Sequence, residues 1–281
     1  MTSAIETWDA ERMERPVPPP GEPPPDREVF IRVRGLHKRF GPRHILRGLD
    51  LDIYRGETLV ILGLSGSGKT TFIKHLMGSL TVDEGELQVG RWDLRQMRES
   101  DWDDYRTGMG VVFQHAALLG SLTVEENVGL PLIEVEHLPP DQIRERVIAA
   151  LRRVFLPAEE ILHLKPASLS GGMRKRVGIA RAIIQDPALL LYDEPTTGLD
   201  PVTVSGVNLL TRELQHSLGV TSIVITHDME AAFTVGDRIA MLYKGRIIAL
   251  GTVDEIRASD HPVLRQLLTG AVDGPLTEGF R

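Results

Sequence analysis

The chain has 281 residues, of which 42% are hydrophobic and 25% charged, with a formal net charge of −7 and no cysteine. That length and balance suit one α/β unit with a sizeable core. The absence of cysteine excludes disulfides, thiolate metal sites and thiol catalysis together, and the acidic balance argues against a nucleic-acid partner, which calls for a basic face.

A spanning helix needs about 20 mostly apolar residues; apolar runs such as Ala188–Tyr192 and Ser222–Ile225 are far shorter. Met1–Arg15 mixes acids and bases without an apolar stretch and does not read as a secretory signal. Any membrane role is expected to come through partners.

Residues 1–27 read as a disordered, proline-rich leader. Its Pro16–Pro25 stretch (PVPPPGEPPP) favours polyproline II and resists packing. A docking segment for a proline-recognising domain is the alternative. The folded unit is expected over 28–270. Val29–Arg34 alternates like a strand, as do Leu49, Leu51 and Ile53 before the turn at Arg55-Gly56. Thr58–Leu62 reads as a buried strand running into a glycine-rich loop, followed by a helix over Lys69–Gly78. Short strands are predicted at Glu86–Val89 and Gly110–Phe113.

From about 115 to 182 the strand signal gives way to a helical subdomain. Thr123 with Glu126 has the pattern of a capping box. Asp141–Phe155 places Ile143, Val147, Ile148, Leu151 and Val154 at helical spacing. Strands return at Ala188–Tyr192 and Thr221–Thr226, with a helix over Val202–Leu218 between them, an order that implies right-handed crossovers in a parallel sheet. Arg238–Leu242 and Arg246–Leu250 flank Tyr243-Lys244-Gly245 as a closing hairpin. The last segment, 271–281, is a tail whose sizeable apolar groups are only Val272, Leu276 and Phe280, so its deletion is expected to leave the fold intact.

Three runs carry the chemistry. Gly63-Leu64-Ser65-Gly66-Ser67-Gly68-Lys69-Thr70, with Thr71 following, matches the phosphate-binding P-loop between a buried strand and a helix. Gly66 and Gly68 let the backbone wrap a phosphate chain, and successive N–H groups at the helix N-terminus point at anionic oxygens. Lys69 supplies a point charge for the β and γ phosphates, and Thr70 a hydroxyl for Mg²⁺. Leu189–Glu194 is a buried strand ending in two acids at the sheet's C-terminal edge. Asp193 is placed there for Mg²⁺ and Glu194 for the attacking water; alone, the pair could equally cap the turn at Pro195. Leu169-Ser170-Gly171-Gly172-Met173 gives a helix start with a capping serine and a bare first turn, a second anion site on the same chain.

A Ser-Gly-Gly turn between a P-loop and an Asp-Glu strand resembles the signature of ABC ATPases, and the resemblance covers about Val29 to Leu250. It implies a P-loop ABC ATPase fold, α/β with a mixed-sheet core and a helical subdomain. It further implies ATP and Mg²⁺ as ligands and a homodimer in which Ser170, Gly171 and Gly172 face the partner's P-loop. Phe40 resembles the aromatic that stacks on adenine, a core phenylalanine being the alternative. Gln114 resembles the glutamine that contacts Mg²⁺ and senses the helical lobe. Asp200, in Gly198-Leu-Asp-Pro201, resembles the aspartate that crosses the dimer interface, and His227 the switch histidine near the γ-phosphate. Met173 departs from the usual glutamine and cannot donate a hydrogen bond.

Leu169–Met173 followed by Arg174-Lys-Arg176, then Thr196–Pro201, is similar to the ATPases of MCE-type (Mla-like) lipid transport. Gln266–Pro275 is similar to the tail of the Mla ATPase, which extends towards the dimer partner. That resemblance implies separate permease subunits, an MCE-domain periplasmic protein, a STAS-domain regulator and a peripheral place on the cytoplasmic face of the inner membrane. A small-molecule importer, such as one for amino acids, stays open. So does a non-transport ABC protein of DNA repair or translation, although neither a long coiled-coil insertion nor a second cassette is present.

Overall fold

A computed structural model describes residues 14–17 and 26–277. Two sheets form its frame. In the first, β1 (Val29–Phe40) pairs antiparallel with β2 (Arg43–Tyr54) and with β4 (Glu84–Val89), and β5 (Trp92–Asp93) completes the order β2-β1-β4-β5. β1 runs six residues past the predicted Arg34. Register shifts between Val33 and Leu36, with Gly35 at φ +52°, break the alternation that would have announced the extension.

The second sheet has the order β10-β9-β3-β8-β7-β6. Its members are β3 (Thr58–Leu62), β6 (Met109–Val112), β7 (Leu189–Asp193), β8 (Thr221–Thr226), β9 (Arg238–Tyr243) and β10 (Arg246–Thr252). β3, β6, β7, β8 and β9 are parallel, and β10 closes the predicted hairpin antiparallel to β9. All five residues of β3 are buried, because both faces of this sheet are covered. The strand period of two divides its side chains between two cores. Leu59 and Ile61 join Ile223, Ile225 and Leu191 under the first sheet, beside Phe72 and Ile73 of α1 (Lys69–Leu76). Val60, Val224, Leu190 and Tyr192 face the helices on the other side.

Between β5 and β6 lies α2 (Asp101–Thr107). The helical lobe comprises α3 (Val124–Pro131), α4 (Pro140–Arg153), α5 (Ala158–Ile161) and α6 (Gly171–Ile183). The capping box forms as predicted: Glu126 N donates to Thr123 Oγ1 at 3.2 Å and Thr123 N to Glu126 Oε2 at 2.7 Å. α7 (Pro201–Leu218) and α8 (Met229–Val235) flank β8, and α9 (Val253–Arg257) and α10 (Pro262–Thr269) are the last helices among the described residues. Among the described residues no helix is long and apolar enough to cross a membrane.

Two expectations about the ends change. Within the 1–27 leader, Glu14–Val17 is seated on the fold. Val17 N donates to Ile247 O at 2.9 Å on the free edge of β10, and Lys244 Nζ donates to Glu14 Oε1 at 2.7 Å. An edge hydrogen bond and an ion pair hold this piece, features that proline content does not report; 18–25 of the proline-rich stretch lies outside the described residues. The tail, over 271–277, folds back on its own chain. The amide of Gln266, 7% exposed, donates to Ala271 O at 3.0 Å and accepts from Leu276 N at 2.7 Å. Deleting 271–281 therefore strips a buried amide of its partners and is expected to cost about 1–3 kcal/mol. Urea unfolding checks this: the midpoint should drop on deletion.

Candidate active site

The P-loop joins the C-terminal end of β3 to α1. Gly66 at φ +80° and Gly68 at φ +112° hold conformations that a side chain would resist, and a Cβ at Gly68 would sit 2.8 Å from Leu46 Cδ2. The loop thus closes tightly on β2 and presents its N–H groups outward at the start of α1. From beneath, Gly245 N of the β9–β10 turn donates to Ser67 O at 3.1 Å.

Lys69 is 7% exposed, and its Nζ donates to Gly63 O at 2.7 Å and Leu64 O at 3.1 Å. Glu194 Oε1 is 3.9 Å away. Burial pulls this ammonium below the ordinary lysine range, against the opposite pull of Glu194 and Asp193. Burial and the neighbouring Glu194 push Asp193 above the ordinary range, opposed by Lys69 and Lys74. An acid held so close to a second acid gains from an added cation. Thr70, Gln114 and Asp193 line the same cavity and offer hydroxyl, amide and carboxylate oxygens, the hard donors that suit Mg²⁺. Among the described residues no group of three or more His, Asp or Glu could hold a metal by itself.

Glu194 lies at the end of β7 with φ +49°, a left-handed conformation uncommon for a residue with a side chain. Its N–H donates to Ile225 O of β8 at 2.9 Å, which pins the backbone. His227 Nδ1 is 2.8 Å from Glu194 Oε2, so the histidine after β8 and the acid after β7 form one unit. Strain held this firmly marks positions where geometry matters for chemistry.

These groups surround a single cavity of about 580 Å³. Leu64, Ser65, Gly66, Gly68, Lys69, Thr70 and Thr71 of the loop line it together with Gln114, Asp193, Glu194 and His227. Gly63 and Ser67 support the loop without lining the cavity. Ile45 and Thr197 also line it and were missed; Thr197 Oγ1 lies 3.4 Å from Glu194 Oε2. Thr197 belonged to the Thr-Thr-Gly run, whose place beside the acids was its only signal.

Four predicted residues stand apart. Ser170 caps α6, its Oγ accepting from Met173 N at 3.2 Å, and Asp200 caps α7, accepting from Thr203 N at 3.0 Å. A Cβ on Gly172 would lie 2.7 Å from Thr203 Cγ2, so the two caps share one surface. None of Ser170, Gly171, Gly172 or Asp200 lines the cavity of its own chain. Phe40 does not line it either. The ring is 46% exposed, with Lys38 Nζ 5.7 Å from its centroid, which rules out the core alternative.

A P-loop, two strand-end acids and a histidine around one cavity define a nucleotide-hydrolysing site of the P-loop class. The family model described as ABC transporter matches residues 46–197. A probable ribonucleotide transport ATP-binding protein, mkl, of Mycobacterium leprae is 38% identical over 248 residues, covering 88% of this chain and 71% of that protein. The chloroplastic protein Trigalactosyldiacylglycerol 3 of Arabidopsis thaliana is 38% identical over 267 residues, covering 89% and 76%. A dimeric post-hydrolysis structure of the ATP-binding cassette MJ0796 with ADP and Pi superposes with a TM-score of 0.71 at 31% identity, covering 79% of this chain and 98% of that one. The chain belongs to the ABC transporter family: it is an ATP-binding subunit of such a transporter, an ATPase whose hydrolysis is coupled to transport.

Lys69→Ala tests the loop directly. Loss of one charge-assisted contact of roughly 1.5–3 kcal/mol predicts a tenfold to hundredfold weaker ATP affinity by titration calorimetry. Unchanged affinity would remove Lys69 from the site.

Proposed function

We propose that the subunit drives MCE-type lipid transport across a bacterial envelope, working as a homodimer on separate permease subunits at the cytoplasmic face of the inner membrane. The reading is carried by the run Leu169–Arg176 with its Met173, together with Thr196–Pro201. A relative of equal identity that bears the name of a glycolipid supports it. An MCE-domain periplasmic protein and a STAS-domain regulator are the further partners this reading implies. The second reading, import of a small molecule, is supported by the name of mkl, a probable ribonucleotide transport protein.

In the proposed reaction two ATP molecules lie at the dimer interface. Each is held by the loop Gly63–Thr71 of one chain and by Ser170, Gly171 and Gly172 of the other, with Asp200 crossing alongside. Phe40 supplies a stacking face for adenine. Lys69 leaves its carbonyl partners Gly63 and Leu64 for the β and γ phosphates, an exchange its flexible four-carbon stem allows. Thr70, Gln114 and Asp193 would hold Mg²⁺, which when bound neutralises phosphate charge. Glu194 orients and deprotonates the attacking water, and His227 fixes that carboxylate through the 2.8 Å contact. Closure excludes water, and a unit charge pair at 4 Å then rises from about 1 to about 4 kcal/mol as the effective dielectric falls from about 80 to 20.

Purification of the complex from native membranes, followed by mass spectrometry of its subunits and bound lipid, tests the assignment. An MCE-domain subunit with stoichiometric phospholipid is the expected result. A soluble amino-acid- or nucleotide-binding subunit without lipid would replace this reading with small-molecule import.

A further inference from the structure

The face of α6 beyond the Ser170 cap carries a row of residues for which the nucleotide site gives no account. Lys175 is 3% exposed, yet burial alone shifts its ammonium, down to about 8. Its Nζ donates to Gln114 O at 2.5 Å and, more loosely, to Phe113 O at 3.4 Å. One turn on, Gly178 lets Ala116 come close: a Cβ there would lie 3.1 Å from Ala116 Cβ and 3.2 Å from its carbonyl oxygen. A further turn on, Arg181 donates to Ala116 O and to Ala117 O, each at 2.9 Å.

Positions 175, 178 and 181 recur at helical spacing, so one stripe of α6 holds the carbonyls of Phe113, Gln114, Ala116 and Ala117 in the segment 113–117. That segment needs holding. Ala116 and Ala117 have φ of +58° and +48°, a left-handed pair without a glycine. Such backbone persists only where its surroundings over-determine it. The segment also contains Gln114, which lines the nucleotide cavity. A buried ammonium spent on two main-chain carbonyls is a costly way to fill a core position that leucine or methionine could fill.

We propose that Lys175, with Arg181 behind it, is a positioning residue for Gln114: it fixes the backbone from which the glutamine reaches into the cavity. Lys175 itself does not line the nucleotide cavity. It also makes the helix headed by Ser170 and the loop headed by Gln114 one rigid piece, so a displacement at the cap is carried to Gln114 of the same chain. The inference rests on the proposed role of Gln114 in the ATP site.

A double-mutant cycle in the assembled transporter tests it, with Lys175→Met, Gln114→Ala and the pair. Misplacing a group that would hold Mg²⁺ beside the reacting phosphate predicts a kcat about 10- to 100-fold lower for Lys175→Met, with KM for ATP changed less than about twofold. In the Gln114→Ala background Lys175→Met should have no further effect, and Lys175→Arg should restore most of kcat. Hydrogen exchange of the free subunit gives the readout independent of turnover: amides over 115–118 should lose protection in Lys175→Met while those of β3 keep theirs. Should Lys175→Met not fold, Arg181→Met carries the same cycle. Multiplying effects of the two substitutions would overturn the inference alone, because Lys175 would then act on something other than Gln114. A Gln114→Ala variant with normal kcat would overturn the role of Gln114 and this inference with it.

Discussion

Glu194→Gln is expected to bind ATP with near wild-type affinity and to hydrolyse it about 10²–10⁴-fold more slowly, the usual contribution of a positioned base. The substitution is sparing. Gln keeps the side-chain length, the left-handed backbone at φ +49° and the main-chain bond to Ile225 O. It removes the negative charge 3.9 Å from Lys69 Nζ and leaves a single carboxamide oxygen where two carboxylate oxygens had faced Lys69 Nζ and His227 Nδ1. Losing the negative charge beside Lys69 favours phosphate, so affinity should hold or rise slightly. With binding kept and turnover lost, the ATP-bound form should accumulate as a closed dimer, visible by size-exclusion chromatography of the subunit with ATP. Rapid turnover by this variant would leave Asp193 as the only acid at the cavity wall and would remove Glu194 from catalysis.

Much of this site was legible because its parts are local. The P-loop sits between a five-residue buried strand and a helix, and each of these announces itself within ten residues. Asp193 and Glu194 were legible for the same reason, as acids ending an apolar strand. What joins the acids to the loop is not local: β3 and β7 are both neighbours of β8, a sheet order that no short window contains. The contact of His227 with Glu194 follows from that order too, since β8 lies beside β7.

The misses have the same cause. Lys175 enters the sequence reading only as the middle of Arg174-Lys-Arg176, part of a resemblance and with no sign of burial. Its burial arises because the segment after β6 crosses α6 there, and only the tertiary path shows this. Glu14 finds Lys244 across 230 positions of chain. Gln266 turns the tail inward through hydrogen bonds that composition cannot register. Phe40 was given two roles from its neighbours, and its exposure removes one of them. Ser170 and Asp200 are instructive in the opposite way. Each looks complete as a helix cap in its own chain, so the structure of one chain alone gives them no further work.

That leaves the shared site as the sharpest question, and Ser170→Arg addresses it. In one chain Ser170 lies outside the cavity, 101 positions from Lys69 in sequence (170 − 69) and on the helical lobe. An arginine there keeps the P-loop of its own chain untouched. The separated subunit should therefore bind nucleotide almost normally, while the assembled complex loses hydrolysis. Mixed dimers separate the two geometries further. Put Lys69→Ala on one chain and Ser170→Arg on the other, and both defects fall on the same composite site, so the opposite site stays intact. Put both on one chain with an otherwise wild-type partner, and each composite site loses one component. In a Glu194→Gln background, where ATP is held without turnover, the first arrangement should occlude one nucleotide per dimer and the second none. Counting trapped ATP avoids any dependence on whether one site can fire alone. Equal occlusion in the two arrangements would mean that the Ser-Gly-Gly turn does not reach across the interface. The ATP sites would then belong to single chains, and the charge on Lys69 would have to serve each site without a partner's cap.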